Sequence, residues 1–146
     1  MNLGLDFHDT ISYNPNFFIK FIKSWDGEVY IITGTPHSKK NETIEQLNEL
    51  GIHSNMYTDI LMGFEYDKNK MTVEHFNKMK VHKLNHLLSH NIKVYFDDNP
   101  FYVEYLRNFG ISVFQTILSD NYLDEFEKKD KFFTSNLQRD QFLHIK

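Results

Sequence analysis

Cysteine is missing from this chain of 146 residues, which excludes disulfides, thiolate chemistry and Cys-ligated zinc and leaves nothing to argue for an oxidising compartment. Also missing is any run near the roughly 18 consecutive apolar residues a membrane helix needs, or a basic stretch leading into an apolar one at the start. A soluble, cytoplasmic protein is the expectation. Charge of one sign is scarce. The 16 basic and 20 acidic residues leave a net charge of -4 without a long block of either, so a general nucleic-acid or membrane binder is not indicated. Alanine is absent and arginine occurs only as Arg107 and Arg139, while Lys, Asn, Ile, Phe and Tyr abound. That usage fits an AT-rich coding sequence, and it deprives abundant Phe, Asn and Lys of diagnostic weight. Position and spacing carry the information instead. The length suits one domain, residues 1 to 146, large enough to bury a core without staples.

What is present begins with Leu3-Gly4-Leu5-Asp6-Phe7-His8-Asp9-Thr10, an apolar strand that runs into ionisable side chains. If the backbone stays extended, Asp6 and His8 point to one face and Asp9 to the other. Asn14-Pro15 then opens a helix with Phe17, Phe18, Phe21, Ile22 and Trp25 at helical spacing, a core face that ends at Asp26-Gly27. Residues 10 to 14 form the loop between them. Glu28 to Ile32 is a β-branched run that breaks at Thr33-Gly34-Thr35-Pro36, a second buried parallel strand whose carboxyl end carries a hydroxyl and a glycine. A helix is expected from Ser38, its N-cap, to Leu50, with Ile44, Leu47 and Leu50 inward and Gly51 as its stop.

Ile52 to Ile60 reads as a third strand at an edge, followed by a loop. From Thr72 to His90 a long helix places Val73, Phe76, Leu84, Leu87 and Leu88 on one face, with Lys80 and Lys83 on or beside it. Each lysine there either lays its stem along apolar surface or reaches a buried anion. His82, His86 and His90 recur at i, i+4, i+8, a spacing able to hold a metal, but no carboxylate accompanies them and a solvated face is expected. Ile92 to Phe96 is the next strand and ends in Asp97-Asp98, two adjacent carboxylates that need a nearby cation. Pro100 opens a helix to Phe109, Ile111 to Leu118 forms a fifth strand, and residues 119 to 146 read as a charged helix with an aromatic tail.

Five strands alternating with helices predict a three-layer α/β/α, doubly wound parallel sheet. Strand ends and a helix flank carry, in order, Asp6 with His8, Thr33 with Gly34, Lys83, and Asp97 with Asp98. That order resembles the four motifs of the haloacid dehalogenase-like superfamily of phosphotransferases and phosphatases, over about residues 2 to 118. The resemblance implies a Rossmann-like core in which Asp6 is the nucleophile that takes a phosphoryl group. It further implies Mg²⁺ held by the Asp6 carboxylate, the backbone carbonyl of His8 and Asp98, with Asp97 reached through water, an all-oxygen set of the kind Mg²⁺ prefers. Thr33 and the Gly34 N–H would hold phosphate oxygens, and Lys83 would neutralise phosphate and nucleophile, with Lys80 the alternate lysine.

His8 departs from that pattern. Most phosphatases of the superfamily carry a second Asp there, which protonates the leaving group and then activates water. An imidazole can do acid/base work near neutral pH, but Mg²⁺ beside it disfavours its charged form. Asp9 ranks below it. Members acting on small metabolites usually carry an inserted lid, and residues 10 to 32 hold only one helix and one strand. The expected site is open, suited to a phosphorylated small molecule, nucleic-acid end or phosphoprotein, or to a lid from the tail or from another subunit of a homo-oligomer. The alternative to a hydrolase is a regulatory protein that holds Mg²⁺ and a phosphorylated ligand and turns over poorly.

Overall fold

The computed structural model of the protein describes residues 1–65 and 72–117. Five strands, β1 (Asn2–Asp6), β2 (Val29–Ile32), β3 (Asp59–Leu61), β4 (Ile92–Asp97) and β5 (Ser112–Gln115), form one sheet in the order β3-β2-β1-β4-β5. Every pairing is parallel. Strands of such a sheet are covered on both faces, which is why β2 reads Val-Tyr-Ile-Ile with no polar residue. Its side chains alternate between two cores. Val29 and Ile31 join Leu3, Leu5, Phe18, Ile22 and Leu47 on one face, while Tyr30 and Ile32 join Phe76, Leu84, Leu87, Tyr95 and Leu106 on the other. Helices α1 (Pro15–Ser24) and α2 (Lys40–Glu49) supply the first core, α3 (Val73–Ser89) and α4 (Pro100–Leu106) the second. This is an α/β architecture consistent with a Rossmann-like fold.

The helix starts follow local chemistry. The side chains of Asn14, Thr72 and Asn99 accept from Phe17, His75 and Phe101 N–H at 3.4, 3.1 and 2.9 Å, and prolines occupy the first position of α1 and α4. Gly51, at φ 90°, ends α2 as expected. Ser38 is not its cap: a 3-10 turn over His37–Lys39 precedes the helix and takes Ser38 inside it. The third strand sits at an edge as expected but is only three residues long, because residues Ser54–Met56 form another 3-10 turn where strand was predicted.

Two apolar stripes are narrower than their spacing suggested. Phe17 is half exposed and packs on Phe18 and Phe21 rather than into the core, and Leu88 is exposed on the outer side of α3. The predicted C-terminal helix and tail lie outside the described residues, as do residues 66–71.

The topology creates the site. From β1 the chain winds outward through β2 to β3, then crosses back to place β4 on the other side of β1. Loops leaving the carboxyl ends of β1 and β4 therefore diverge, and the gap between them is where open α/β sheets bind ligands. Asp6 and Asp97 are the last residues of those two strands.

Candidate active site

Asp6 and Asp97 lie on the face of the sheet that α3 covers, and α3 sends Lys83 between them. Its Nζ donates to Asp6 Oδ1 at 3.1 Å and to Asp97 Oδ2 at 2.5 Å, with all three side chains almost wholly withdrawn from solvent. The ring of Tyr102 packs 4.6 Å from Nζ, a cation–π contact from α4. Lys83 rather than Lys80 takes the place beside the carboxylates. Lys80 is buried with Nζ 4.6 Å from the Tyr105 ring, and burial lowers its proton affinity.

Asp97 accepts three hydrogen bonds from the protein. Oδ2 accepts from Lys83 and from the Tyr95 hydroxyl at 2.6 Å, and Oδ1 accepts from the Asn99 N–H at 3.0 Å. Tyr95 lies two residues before Asp97 on the same strand face, and its ring fits because residue 4 of the adjoining strand is glycine. A Cβ on Gly4 would stand 3.0 Å from Tyr95 Cδ1 and 3.1 Å from Ile92 Cγ2. Asp98 is less buried and closes the cluster: ligand oxygens of Asp6, Asp97 and Asp98 fall within 4.8 Å of one another, the one such group among the described residues.

The electrostatics follow from burying more negative than positive charge. Burial and the nearby Asp97 raise Asp6 well above the usual carboxylate range, against the opposing pull of Lys83, and Asp98 raises it further. For Lys83, burial alone would lower the ammonium, but Asp6 and Asp97 outweigh it and hold it charged well beyond its ordinary range. Burial, with Asp97 and Asp6 adding to it, likewise keeps Tyr95 protonated, so its hydroxyl is a permanent donor.

The backbone after Asp6 does not stay extended. A wide turn over Phe7–Ile11 is closed by the Ser12 N–H on the Phe7 carbonyl at 3.1 Å, with Asp9 in the left-handed region at φ 60°. The expected reason for separating His8 from Asp9 therefore fails: both line the same cavity of about 270 Å³ as Asp6, Lys83 and Asp98. His8 reaches solvent while its ring packs on Phe7 at 4.8 Å. Burial lowers its imidazole from the ordinary value, Asp9 opposes this, and Lys83 adds to it.

Thr33 and Gly34 sit at the end of β2 as expected. Gly34 lines the cavity beneath Met79, whereas Thr33 is wholly buried with its hydroxyl 3.2 Å from that of Thr35. Tyr95 and a pair of hydroxyls also belong to the site, unexpected from the sequence. Thr10 Oγ1 reaches Asp6 Oδ2 at 3.4 Å and Thr116 Oγ1 at 3.1 Å, while the Thr116 N–H donates to the Asp97 carbonyl. The period-two rule on β4 points to Tyr95, but nothing local ties Thr10 to Thr116. The site holds hard oxygen donors, a fixed ammonium and an accessible carboxylate, the equipment for binding a hard cation and an anionic group together.

No family model, curated protein or solved structure matches the chain.

Proposed function

We propose that the protein is a Mg²⁺-dependent phosphomonoester hydrolase of the haloacid dehalogenase-like kind, with Asp6 as nucleophile and no separate cap. The observation that supports this best is the clamp of Lys83 between Asp6 and Asp97, at the ends of the two strands that flank the topological switch point. The donor set suits the metal. Asp6 and Asp98 offer carboxylate oxygens to one cavity, the His8 carbonyl would add a third oxygen, and Asp97, which already accepts three protein hydrogen bonds, would reach the ion through water. Bound there, Mg²⁺ would supply charge neutralisation for carboxylates and phosphate.

An Asp6 carboxylate oxygen attacks phosphorus, the P–O bond to the leaving alcohol breaks, and the alcohol oxygen takes a proton. Water then attacks the aspartyl phosphate, which returns the Asp6 carboxylate and releases inorganic phosphate. Lys83 holds Asp6 in position through Oδ1 and faces the charge that builds on the phosphoryl oxygens, while Thr10 steadies the other carboxylate oxygen. The Gly34 backbone borders the cavity where phosphate oxygens would sit, and Thr33 supports that bend from within. His8 and Asp9 are the candidates for proton transfer.

The test is phosphate release from an aryl phosphate with and without Mg²⁺. Activity that persists undiminished in Asp6→Asn would sink the proposal. The second reading, a protein that holds metal and phosphorylated ligand but turns over poorly, is favoured by the imidazole at position 8: burial lowers its proton affinity, so less of it carries the proton a leaving group needs. A single-turnover burst followed by stalling, relieved in His8→Asp, would establish that reading over ordinary turnover. The open cavity suits a phosphorylated small molecule, a nucleic-acid end or a phosphoprotein, and a lid from another subunit of a homo-oligomer is compatible with it.

A further inference from the structure

The i, i+4, i+8 histidines of α3 play no part in the acidic site, and they are not the solvated face their spacing suggested. His82, His86 and His90 are half-buried against the ends of β2 and β3. Ring centroids are 4.5 Å apart for His82 and His86 and 6.1 Å for His86 and His90. Each ring is tied to its surroundings. His86 Nε2 donates to the Met62 carbonyl at 2.9 Å, His90 Nδ1 donates to the His86 carbonyl at 3.0 Å, and the His82 ring is set edge-on to Phe64 at 5.3 Å. The Nε2 of His82 is buried with no hydrogen-bond partner among the described residues. His37 completes the group: its ring lies over Gly63, where a Cβ would stand 2.6 Å from Nε2.

Carbonyl partners fix the tautomers. His86 carries its proton on Nε2, so a second proton would go to Nδ1 of a ring whose centroid is 4.5 Å from that of His82. On His82 a second proton would place an N–H in a buried position with no acceptor. The charged groups around the cluster make this worse. Lys83 on α3 disfavours a proton on His82, as would a proton on His86 or on His37 of the facing loop, and a proton on His90 or His37 would disfavour one on His86. Asp59 of β3 faces His86 with the opposite sign, but it is shared with Lys40 at 3.5 Å. From β2 the cluster meets Tyr30, 4.9 Å from the His90 ring and hydrogen-bonded to Glu28, and along α3 His75 shares the Phe64 ring with His82.

We propose that this cluster makes the seating of α3, the helix that carries Lys83, sensitive to mild acid: neutral imidazoles hold the helix against β2 and β3, and proton uptake releases it. The direction of the proton affinities agrees. Burial and neighbouring positive groups bring His82 from 6.5 to about 4 and lower His86. An unfolded chain takes up protons below about 6.5 that the folded one refuses, so this contribution is fully present at higher pH and is lost as pH falls toward the folded values. Asp6 works the other way, because its raised affinity favours the folded state as pH falls, and only a comparison of variants isolates the histidines.

The experiment is thermal melting of the full chain at about pH 7.5 and 5.5, for wild type, His86→Gln and His82→Phe/His86→Gln. Glutamine can still donate to the Met62 carbonyl and phenylalanine keeps the ring against Phe64. The wild-type melting temperature should drop between the two pH values by about 5 °C or more beyond the drop of the double variant. His86→Gln should remove part of that difference, and it serves alone if the double variant does not fold. Equal drops in wild type and whichever variant folds would overturn the proposal. So would proton-NMR titration of the His82 and His86 rings near 6.5 in the folded protein. Neither result depends on catalysis.

Discussion

Replacing Lys83 with methionine removes the one ammonium between Asp6 and Asp97 while keeping a stem of similar length. Both contacts, 3.1 Å to Asp6 and 2.5 Å to Asp97, join side chains almost wholly withdrawn from solvent, so screening is weak. Deleting one partner of such a group leaves uncompensated buried charge and costs about 3–5 kcal/mol. For a chain of this size that is a fall of roughly 10–20 °C in melting temperature. The deficit should depend on pH in a defined direction. Asp6 has a folded proton affinity raised above its unfolded value of 3.8, so the cost of burying its charge is present at neutral pH and is relieved as pH falls toward that value. The gap between Lys83→Met and wild type should therefore narrow in acid. It should narrow also on adding millimolar Mg²⁺ at pH 7.5, as a divalent ion takes over the charge balance. Differential scanning calorimetry across pH, with and without Mg²⁺, measures all three effects. A variant that melts within about 3 °C of wild type at pH 7.5 would refute the claim that Lys83 neutralises the site.

Two further substitutions probe the surroundings of the clamp. Gly4→Ala pushes a methyl against Tyr95 and Ile92 and should cost about 1–3 kcal/mol in urea unfolding; a neutral result would mean that the Tyr95 ring is not held by β1. Asp98→Asn should weaken Mn²⁺ or Mg²⁺ binding by calorimetry more than about tenfold with little loss of stability. Asp97→Asn should do the reverse, losing about 2–4 kcal/mol because Lys83 and the Tyr95 hydroxyl lose a charged acceptor, while metal affinity changes less.

Asp6 and Asp97 were legible because each ends an apolar run, and in a parallel sheet such ends meet. Lys83 was legible as a lysine on the inward flank of a long periodic helix, and Pro15 marked the start of α1. Other features depend on contacts distant in sequence. Thr10 meets Thr116 only because β5 lies beside β4, and no local pattern specifies that hydroxyl pair. The shortness of β3 was hidden because an edge strand carries weak patterning. The direction of Asp9 was not legible because the strand does not continue past Asp6, where a turn with a left-handed residue follows. The histidines were misjudged for a related reason: helical spacing shows which residues share a face, but whether that face meets solvent is decided by where the Met62–Gly63 bend packs.

The central position of β1 has a kinetic side. Leu3 pairs with Val29 on one edge and with Val94 on the other, so the middle strand stays half-bonded until the segment carrying β4 is available. Pairings so distant along the chain require closure of a long loop before any contact rewards it, which slows folding and exposes an apolar strand edge meanwhile. The lysine clamp forms only once α3 and β4 are both in place, since it draws one residue from each of β1, α3 and β4. A partly folded chain with only β1 to β3 in place would carry Asp6 without its counter-charge. The carboxylate can stay hydrated there until the last layer closes, so the burial of its charge and the arrival of its counter-charge come together.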